Sequence, residues 1–445
     1  MREAAVKYGV SIRTVRDAWE LLERNGLLEC RPKSGYFVRS FALARPVHRE
    51  RPLHEYKPGD TDFCRLYGDF IAQNSRSRIA NLAIATPDHE LLPGKVLAGI
   101  AADCARLHCD RMMDYTMAPG LRSLREGIAR VCQGAGFNPE VGDIVVTNGC
   151  TEALALALQT VCSKGDTIAV ESPLYFNFLQ SAAFMDLNLI EIPSSQQTGI
   201  NLDVLDYILE TKTITACIVI PTWSNPTGSL MPVEHKKRLV ALMAAKGVTL
   251  IEDDINGDLG REIPRPPACY AFAAGDADVI YVSSFSKTLG GGLRTGWIIS
   301  PRRTEDLIKR KTLFSTANSS LDQMIVSRFL EDKGYERHVR ALRGSLAERM
   351  AENRALILET FPEGTEVTDP KGGFLLWITL PHDLDASLLY QDALLEGILF
   401  PPGELFSASK RFRSSLRLNA SCTSPEARAA IRRLGSLAKK LPDVP

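Results

Sequence analysis

The run Ser283-Ser284-Phe285-Ser286-Lys287-Thr288-Leu289-Gly290-Gly291-Gly292-Leu293-Arg294 sets an amine among hydroxyls, with a guanidinium beyond a glycine stretch. A lysine amine can condense with an aldehyde. The serine hydroxyls and the arginine can bind a phosphate, the arginine through two parallel hydrogen bonds. The glycines let the backbone approach whatever is bound. Together these residue types suit a phosphorylated aldehyde.

Four more segments supply the other parts of such a site, in chain order. Ile144-Val145-Val146-Thr147 reads as a buried strand, and Asn148-Gly149-Cys150-Thr151-Glu152 then opens a helical run from Ala153 to Val161. A glycine turn at a helix N-terminus points free N–H groups at a phosphate. Glu171-Ser172-Pro173-Leu174-Tyr175 puts an aromatic ring just past a strand, where it could stack on a pyridine. Ile218-Val219-Ile220-Pro221 leads into Asn225-Pro226-Thr227-Gly228, whose amide could donate to a ring hydroxylate. Leu250-Ile251-Glu252-Asp253-Asp254 ends a strand in carboxylates, one of which can keep a pyridine nitrogen protonated. A protonated pyridine is the electron sink of pyridoxal phosphate chemistry. Each segment alone is an ordinary turn or strand end; their joint order carries the reading.

From about Asn81 onward the chain resembles the fold-type I, pyridoxal phosphate-dependent aminotransferases. The resemblance implies an α/β fold: a large, mixed, mostly parallel sheet domain (about 110–320) and a small α+β domain (about 79–109 and 321–445). It implies that Lys287 condenses with the cofactor aldehyde, that Asp253 pairs with the pyridine nitrogen, and that Asn225 meets the ring oxygen. It also implies that Tyr175 stacks on the ring, while Ser284, Ser286, Arg294 and the Cys150-Thr151 turn hold the phosphate. Tyr115, in Asp114-Tyr115-Thr116-Met117, matches a tyrosine that reaches the phosphate of a partner subunit, which implies a homodimer. Arg417, in Leu416-Arg417-Leu418-Asn419, matches an arginine that binds the α-carboxylate of an amino acid substrate or effector. One position departs from the pattern. Asn256 stands where relatives carry a tyrosine that shares the ring oxygen with the asparagine. An amide donates a hydrogen bond but cannot act as a phenol, which argues for cofactor binding without efficient transamination.

The first forty residues have another character. Apolar Val15, Ala18, Trp19 and Leu22 form one helical face in a run that Ser11 can cap and Gly26 can end. Arg13, Thr14 and Arg16 lie near its start. Leu27 to Cys30 and Gly35 to Val38 read as two short strands around Arg31-Pro32-Lys33-Ser34. This resembles the winged helix-turn-helix of the GntR family, which implies duplex DNA contact by Arg13, Thr14 and Arg16 from the helix and by Arg31, Lys33 and Ser34 from the wing. Residues 1–51 hold eleven Lys/Arg against six Asp/Glu, while the whole chain is neutral at 53 against 53. A local positive charge suits nucleic acid. GntR relatives have a further helix and a Leu-Pro-Ser lead-in before Arg2, which implies either a start upstream of Met1 or an incomplete domain.

The expected organisation is a partial winged helix-turn-helix (1–40), a linker (41–78) rich early in Arg, Pro and His, and an aminotransferase-like domain (79–445). That combination resembles the MocR family of regulators and implies a DNA-binding transcription regulator that dimerises through its pyridoxal phosphate domain. The rival is an amino-acid aminotransferase with a vestigial head. Apolar content of 45% supports large ordinary cores. No apolar run approaches membrane-spanning length, no signal peptide is visible, and the ten cysteines lack CxxC spacing. A cytoplasmic protein without disulfides or bound metal is therefore expected.

Overall fold

The computed structural model describes residue 5 and residues 9–24, 28–31, 35–38, 67, 68, 70–73, 80–261, 264–331, 334–381 and 384–442. The chain divides into two compact units, Met1–Pro52 and Leu53–Pro445. In the first, helix α1 (Ile12–Arg24) precedes an antiparallel hairpin of β1 (Leu28–Arg31) and β2 (Gly35–Val38), paired from Leu28↔Val38 to Arg31↔Gly35. Ser11 Oγ accepts the Thr14 N–H at 3.1 Å and so satisfies one of the free donors that start a helix. Val15 is buried, and Trp19 meets the Tyr36 ring edge-on at 5.2 Å, joining helix to hairpin. Ala18, expected on the same face, is exposed: it lies at the rim of the stripe and its methyl is too short to reach inward. Of the expected linker, only Tyr67, Gly68 and residues 70–73 are described.

The second unit is built on an eight-stranded sheet. Its strands are β3 (Ile144–Thr147), β4 (Thr167–Ser172), β5 (Asn188–Ser195), β6 (Gly199–Ile200), β7 (Ala216–Val219), β8 (Thr249–Asp253), β9 (Val279–Ser284) and β10 (Gly296–Ile299). The spatial order is β3-β10-β9-β8-β7-β4-β5-β6. The five strands from β9 to β5 in that order run parallel, while β10 is antiparallel to both β9 and β3. Strands covered on both faces need no polar face, which is why they read as unbroken apolar runs. The pleat sends alternate residues to opposite sides. Val145, Ile280, Val282 and Ile298 join one core; Ile144, Val146, Tyr281, Trp297 and Ile299 join the other.

The helices that matter for the site are α2 (Gly94–Leu107), α3 (Arg122–Gly134), α4 (Cys150–Val161), α5 (Thr304–Ser315), α6 (Ser320–Glu331), α7 (Gly334–Thr360) and α8 (Pro425–Ala438). Helix α4 packs in the first core, and α3 in the second. Leu97 of α2 and Ile325 and Val326 of α6 also lie in the second core, beside β3 and β10, so these helices pack on the large sheet. A smaller antiparallel sheet, β11 (Glu366–Val367), β12 (Leu375–Thr379) and β13 (Ser415–Asn419), carries α7 and α8. Among the described residues, no helix is long and apolar enough to cross a membrane.

Candidate cofactor site

Strands β3, β4, β7, β8 and β9 all run the same way, and at or beyond their C-terminal ends come Gly149, Tyr175, Asn225, Asp253 and Lys287. That edge is where open α/β sheets place ligands. Strand alternation explains which of the three carboxylates at the end of β8 faces the site. Glu252 turns away and accepts the N–H groups of Cys269 and Tyr270 at 2.7 and 2.8 Å. Asp254 turns the same way, to the Arg265 guanidinium and the Tyr281 hydroxyl. Asp253 points oppositely and accepts the Ile255 N–H at 3.1 Å and the Cys150 thiol at 3.4 Å. Burial pushes the Asp253 carboxyl up to about 6, against the pull of those two donors. A buried carboxylate so placed gains from a cation beside it.

Ser284, at the end of β9, accepts the Ser286 N–H at 3.3 Å, and the single turn Phe285–Lys287 brings the lysine over the same edge. The Lys287 ammonium donates to the Ala85 carbonyl oxygen. Burial lowers its pKa to about 8; the Asp253 charge opposes that shift and the Arg417 charge adds to it.

Gly149 begins α4 with φ +82 and no side-chain cap, which leaves the first N–H groups of the helix for a ligand. Arg294 lies across this turn in a left-handed conformation (φ 44), its Nη2 donating to the Asn148 carbonyl at 2.7 Å. A Cβ on Gly149 would stand 2.5 Å from Arg294 Nη2, so any side chain there would displace the guanidinium, and φ +82 favours glycine. Cys150 and Thr151 follow as the first two helical residues.

Arg417 is wholly buried. Its Nη1 donates to Asn225 Oδ1 at 2.9 Å and its Nη2 to the Ala83 carbonyl oxygen, while Nε has no partner among the described residues. The Phe176 and Phe406 rings lie 5.8 and 5.3 Å from the guanidinium carbon. Burial brings its pKa down to about 10. With Oδ1 of Asn225 committed, the Nδ2 hydrogens are the donors that residue has left. Tyr175 sits at 5.0 Å from the Phe176 ring, and burial pushes its hydroxyl up.

The structure thus brings Lys287, Asp253, Asn225, Tyr175, Ser284, Ser286, Arg294, Cys150, Thr151 and Arg417 to one edge of one unit. Tyr115 stands apart, 79% exposed, beside the two-residue strand Thr116–Met117 that pairs with Ala317–Asn318. In the first unit Arg13, Thr14 and Arg16 are exposed on the first turns of α1, with the Thr14 hydroxyl 2.8 Å from that of Ser11. Arg31 closes β1, but its side chain lies outside the described residues, as do Lys33 and Ser34. Sequence reasoning missed the carbonyls of Ala83 and Ala85, which carry no side-chain signal, and the thiol contact of Cys150 with Asp253. It also missed what Asn256 does: Nδ2 donates to the Trp223 carbonyl at 2.9 Å, inside a buried turn.

The donor set fits pyridoxal phosphate: an uncapped helix start and a guanidinium for the phosphate, a buried carboxylate for the ring nitrogen, and a buried amine for the aldehyde. The Arg417 Nε left without a partner is a further donor for an anion. Over 437 residues the chain is 34% identical to the uncharacterized HTH-type transcriptional regulator YjiR of Escherichia coli, covering 98% of this chain and 92% of that one. It is 30% identical to the 2-aminoadipate transaminase of Thermus thermophilus, covering 84% of this chain and 93% of the transaminase. The structure of LysN, the α-aminoadipate aminotransferase of Thermus thermophilus complexed with N-(5'-phosphopyridoxyl)-L-leucine, superimposes with a TM-score of 0.75 at 27% identity, covering 85% of this chain and 98% of LysN. Residues 77–434 match the aminotransferase class I and II family, and with that match and this cradle the chain belongs to that family.

Proposed function

We propose that the protein is a MocR-type transcription regulator: a GntR-like head for duplex DNA, and an aminotransferase-like unit that binds pyridoxal phosphate, dimerises and senses the cofactor or an amino compound. The observation that carries this reading is the pairing, on one chain, of two features. One is the Lys287–Asp253 edge beside the Gly149–Arg294 turn. The other is a separate helix, α1, whose first turns expose Arg13 and Arg16 and whose first turn holds no acid. Similarity to YjiR along nearly the whole chain supports it.

When bound, pyridoxal phosphate supplies an electron sink for bonds at the amino-bearing carbon. The chain's own residues do the rest. Arg294 and the first N–H groups of α4 would hold the phosphate, together with Ser284 at the end of β9 and Ser286 just after it. Asp253 would hold the proton of the ring nitrogen, Asn225 Nδ2 would donate to the ring oxygen, and Tyr175 would pack against the ring. Lys287 presents an amine that is partly neutral near pH 7, and Arg417 orients a carboxylate. Tyr115, with its exposed neighbours Met113, Met117, Leu313 and Phe314, belongs to a face that a second copy covers. A ligand that fits the two arrangements of such a dimer unequally shifts how the heads are held.

The second reading, an amino-acid aminotransferase, is favoured by the complete Lys287, Asp253 and Arg417 set and by the similarity to the 2-aminoadipate transaminase. Mobility-shift titration on duplex from the upstream region of its own gene, at fixed salt with and without pyridoxal phosphate, separates the two. The regulator reading expects a cofactor-dependent shift and, across a salt series, a slope that flattens by about one unit in Arg16→Ala. No shift, together with turnover of an amino acid at about 1 per second or faster, replaces it with the enzyme.

A further inference from the structure

Behind the Gly149 turn lies a buried ion pair that no role above uses. Lys311 of α5 is 1% exposed, with its ammonium 3.0 Å from Glu152 Oε2 and 2.9 Å from Ser315 Oγ. Glu152 is the third residue of α4, and its carboxylate reaches back over the turn: Oε2 accepts the Asn148 N–H at 2.5 Å and Oε1 accepts Asn148 Nδ2 at 3.3 Å. Asn148 is held from two more sides. Its Oδ1 accepts Asn318 Nδ2 at 2.9 Å, and its carbonyl accepts Arg294 Nη2 at 2.7 Å. Every polar group of Asn148 is therefore committed, and the guanidinium lying across Gly149 takes its direction from that carbonyl.

The electrostatics are as specific as the geometry. A carboxylate in the first turn of a phosphate-binding helix repels a bound dianion unless its charge is cancelled. Burial alone would raise the Glu152 pKa, but Ser315, the Asn148 N–H and the Lys311 charge together hold it below the usual carboxylate range. It is therefore ionised, and Lys311 is the cation that cancels it. Lys311 is buried while the Glu152 side chain keeps 17% of its surface exposed, and withdrawing the ammonium from water is costly where an apolar side chain could fill the same volume, so stability alone does not account for the pair at this place.

We propose that Glu152 and Lys311 are positioning residues for the phosphate: Glu152 fixes Asn148, whose carbonyl aims Arg294, and Lys311 removes the negative charge that would otherwise face the ligand. This rests on the reading of the Gly149–Arg294 turn as a phosphate cradle. It also ties that cradle to Asn318, on the strand paired with Thr116–Met117 next to Tyr115, so the turn and the exposed face share one polar chain.

The test compares pyridoxal phosphate with pyridoxal, which has the same ring and aldehyde but no phosphate. Cofactor-free full-length protein is titrated with each at constant ionic strength, and the ratio of the two dissociation constants is the phosphate preference. Lys311→Met is expected to lower that preference by about tenfold, since each 1.4 kcal/mol is a factor of ten. Adding Glu152→Gln, which keeps an acceptor for the Asn148 N–H without the charge, is expected to restore it to within about threefold. Glu152→Gln alone should hold or raise the preference, and this shape-conserving variant decides the matter where Lys311→Met fails to fold. A preference that Lys311→Met leaves unchanged, equal weakening of both ligands, or a tenfold drop in Glu152→Gln overturns the proposal while the cradle stands. A parent protein that binds both ligands equally overturns the cradle and the proposal together.

Discussion

The Lys287 amine can attack an aldehyde only as the free base, so its buried setting fixes the pH dependence of cofactor capture. Burial places its pKa at about 8. At pH 7 about one tenth of the side chains are then neutral, whereas a solvated lysine of pKa about 10.4 would be neutral in about one of 2,500. Capture should accordingly be only about tenfold slower at pH 7 than on its plateau, with half the plateau rate near pH 8. The neighbours set the sign of two perturbations. Asp253→Asn removes the carboxylate that favours the ammonium form and should move the midpoint below 8. Arg417→Met removes a like charge and should move it above 8. The measurement is stopped-flow absorbance on mixing cofactor-free protein with pyridoxal phosphate at pH 7 to 10, above the phosphate's own titration near 6. A rate that still climbs tenfold per pH unit between 8.5 and 9.5, or two variants that shift the midpoint in the same direction, would refute the reasoning.

Borohydride reduction after incubation with pyridoxal phosphate should leave a pyridoxyl mass on the peptide carrying Lys287 and on none in Lys287→Ala; a label that persists in the variant assigns the amine elsewhere. Gly149→Ala puts a methyl group onto Arg294 Nη2 at a residue with φ +82, so affinity for pyridoxal phosphate should fall by at least about tenfold, read by the same titration. Asn256→Ala deprives the buried Trp223 carbonyl of its donor and should cost about 1–3 kcal/mol, seen as a lower denaturant midpoint. An unchanged midpoint would mean that water replaces the amide.

What could be read from the sequence is what local chemistry dictates. The buried strands announced themselves as β-branched runs, and the site residues followed them because a parallel sheet delivers the ends of its strands to one edge. Lys287, Asp253 and Arg294 were legible because each sits in a short run of distinctive residue types at or near a strand end. Arg417 illustrates the limit. Its type and flanking strand were visible, but its partners are Asn225 and the carbonyl of Ala83, 192 and 334 residues away. A carbonyl presents the same atom in every residue, so no pattern could single out Ala83 or Ala85.

Asn256 shows the same limit from the other side. Compared with a tyrosine, it suggested an amide offered to the cofactor's ring oxygen. Its donor is instead spent on the Trp223 carbonyl, and Trp223 itself is held at φ 54 with its indole against Gly260 and Gly372. A Cβ on either glycine would come within 2.5 Å of the indole, so the turn before Asn225 is clamped by backbone that only glycine permits. Asn256 therefore acts on the cofactor edge at one remove, by fixing the turn that presents Asn225. In the proposed site the Asn225 amide would then be the donor left for the ring oxygen among the described residues, an arrangement that suits holding a cofactor more than repeated proton transfer around it.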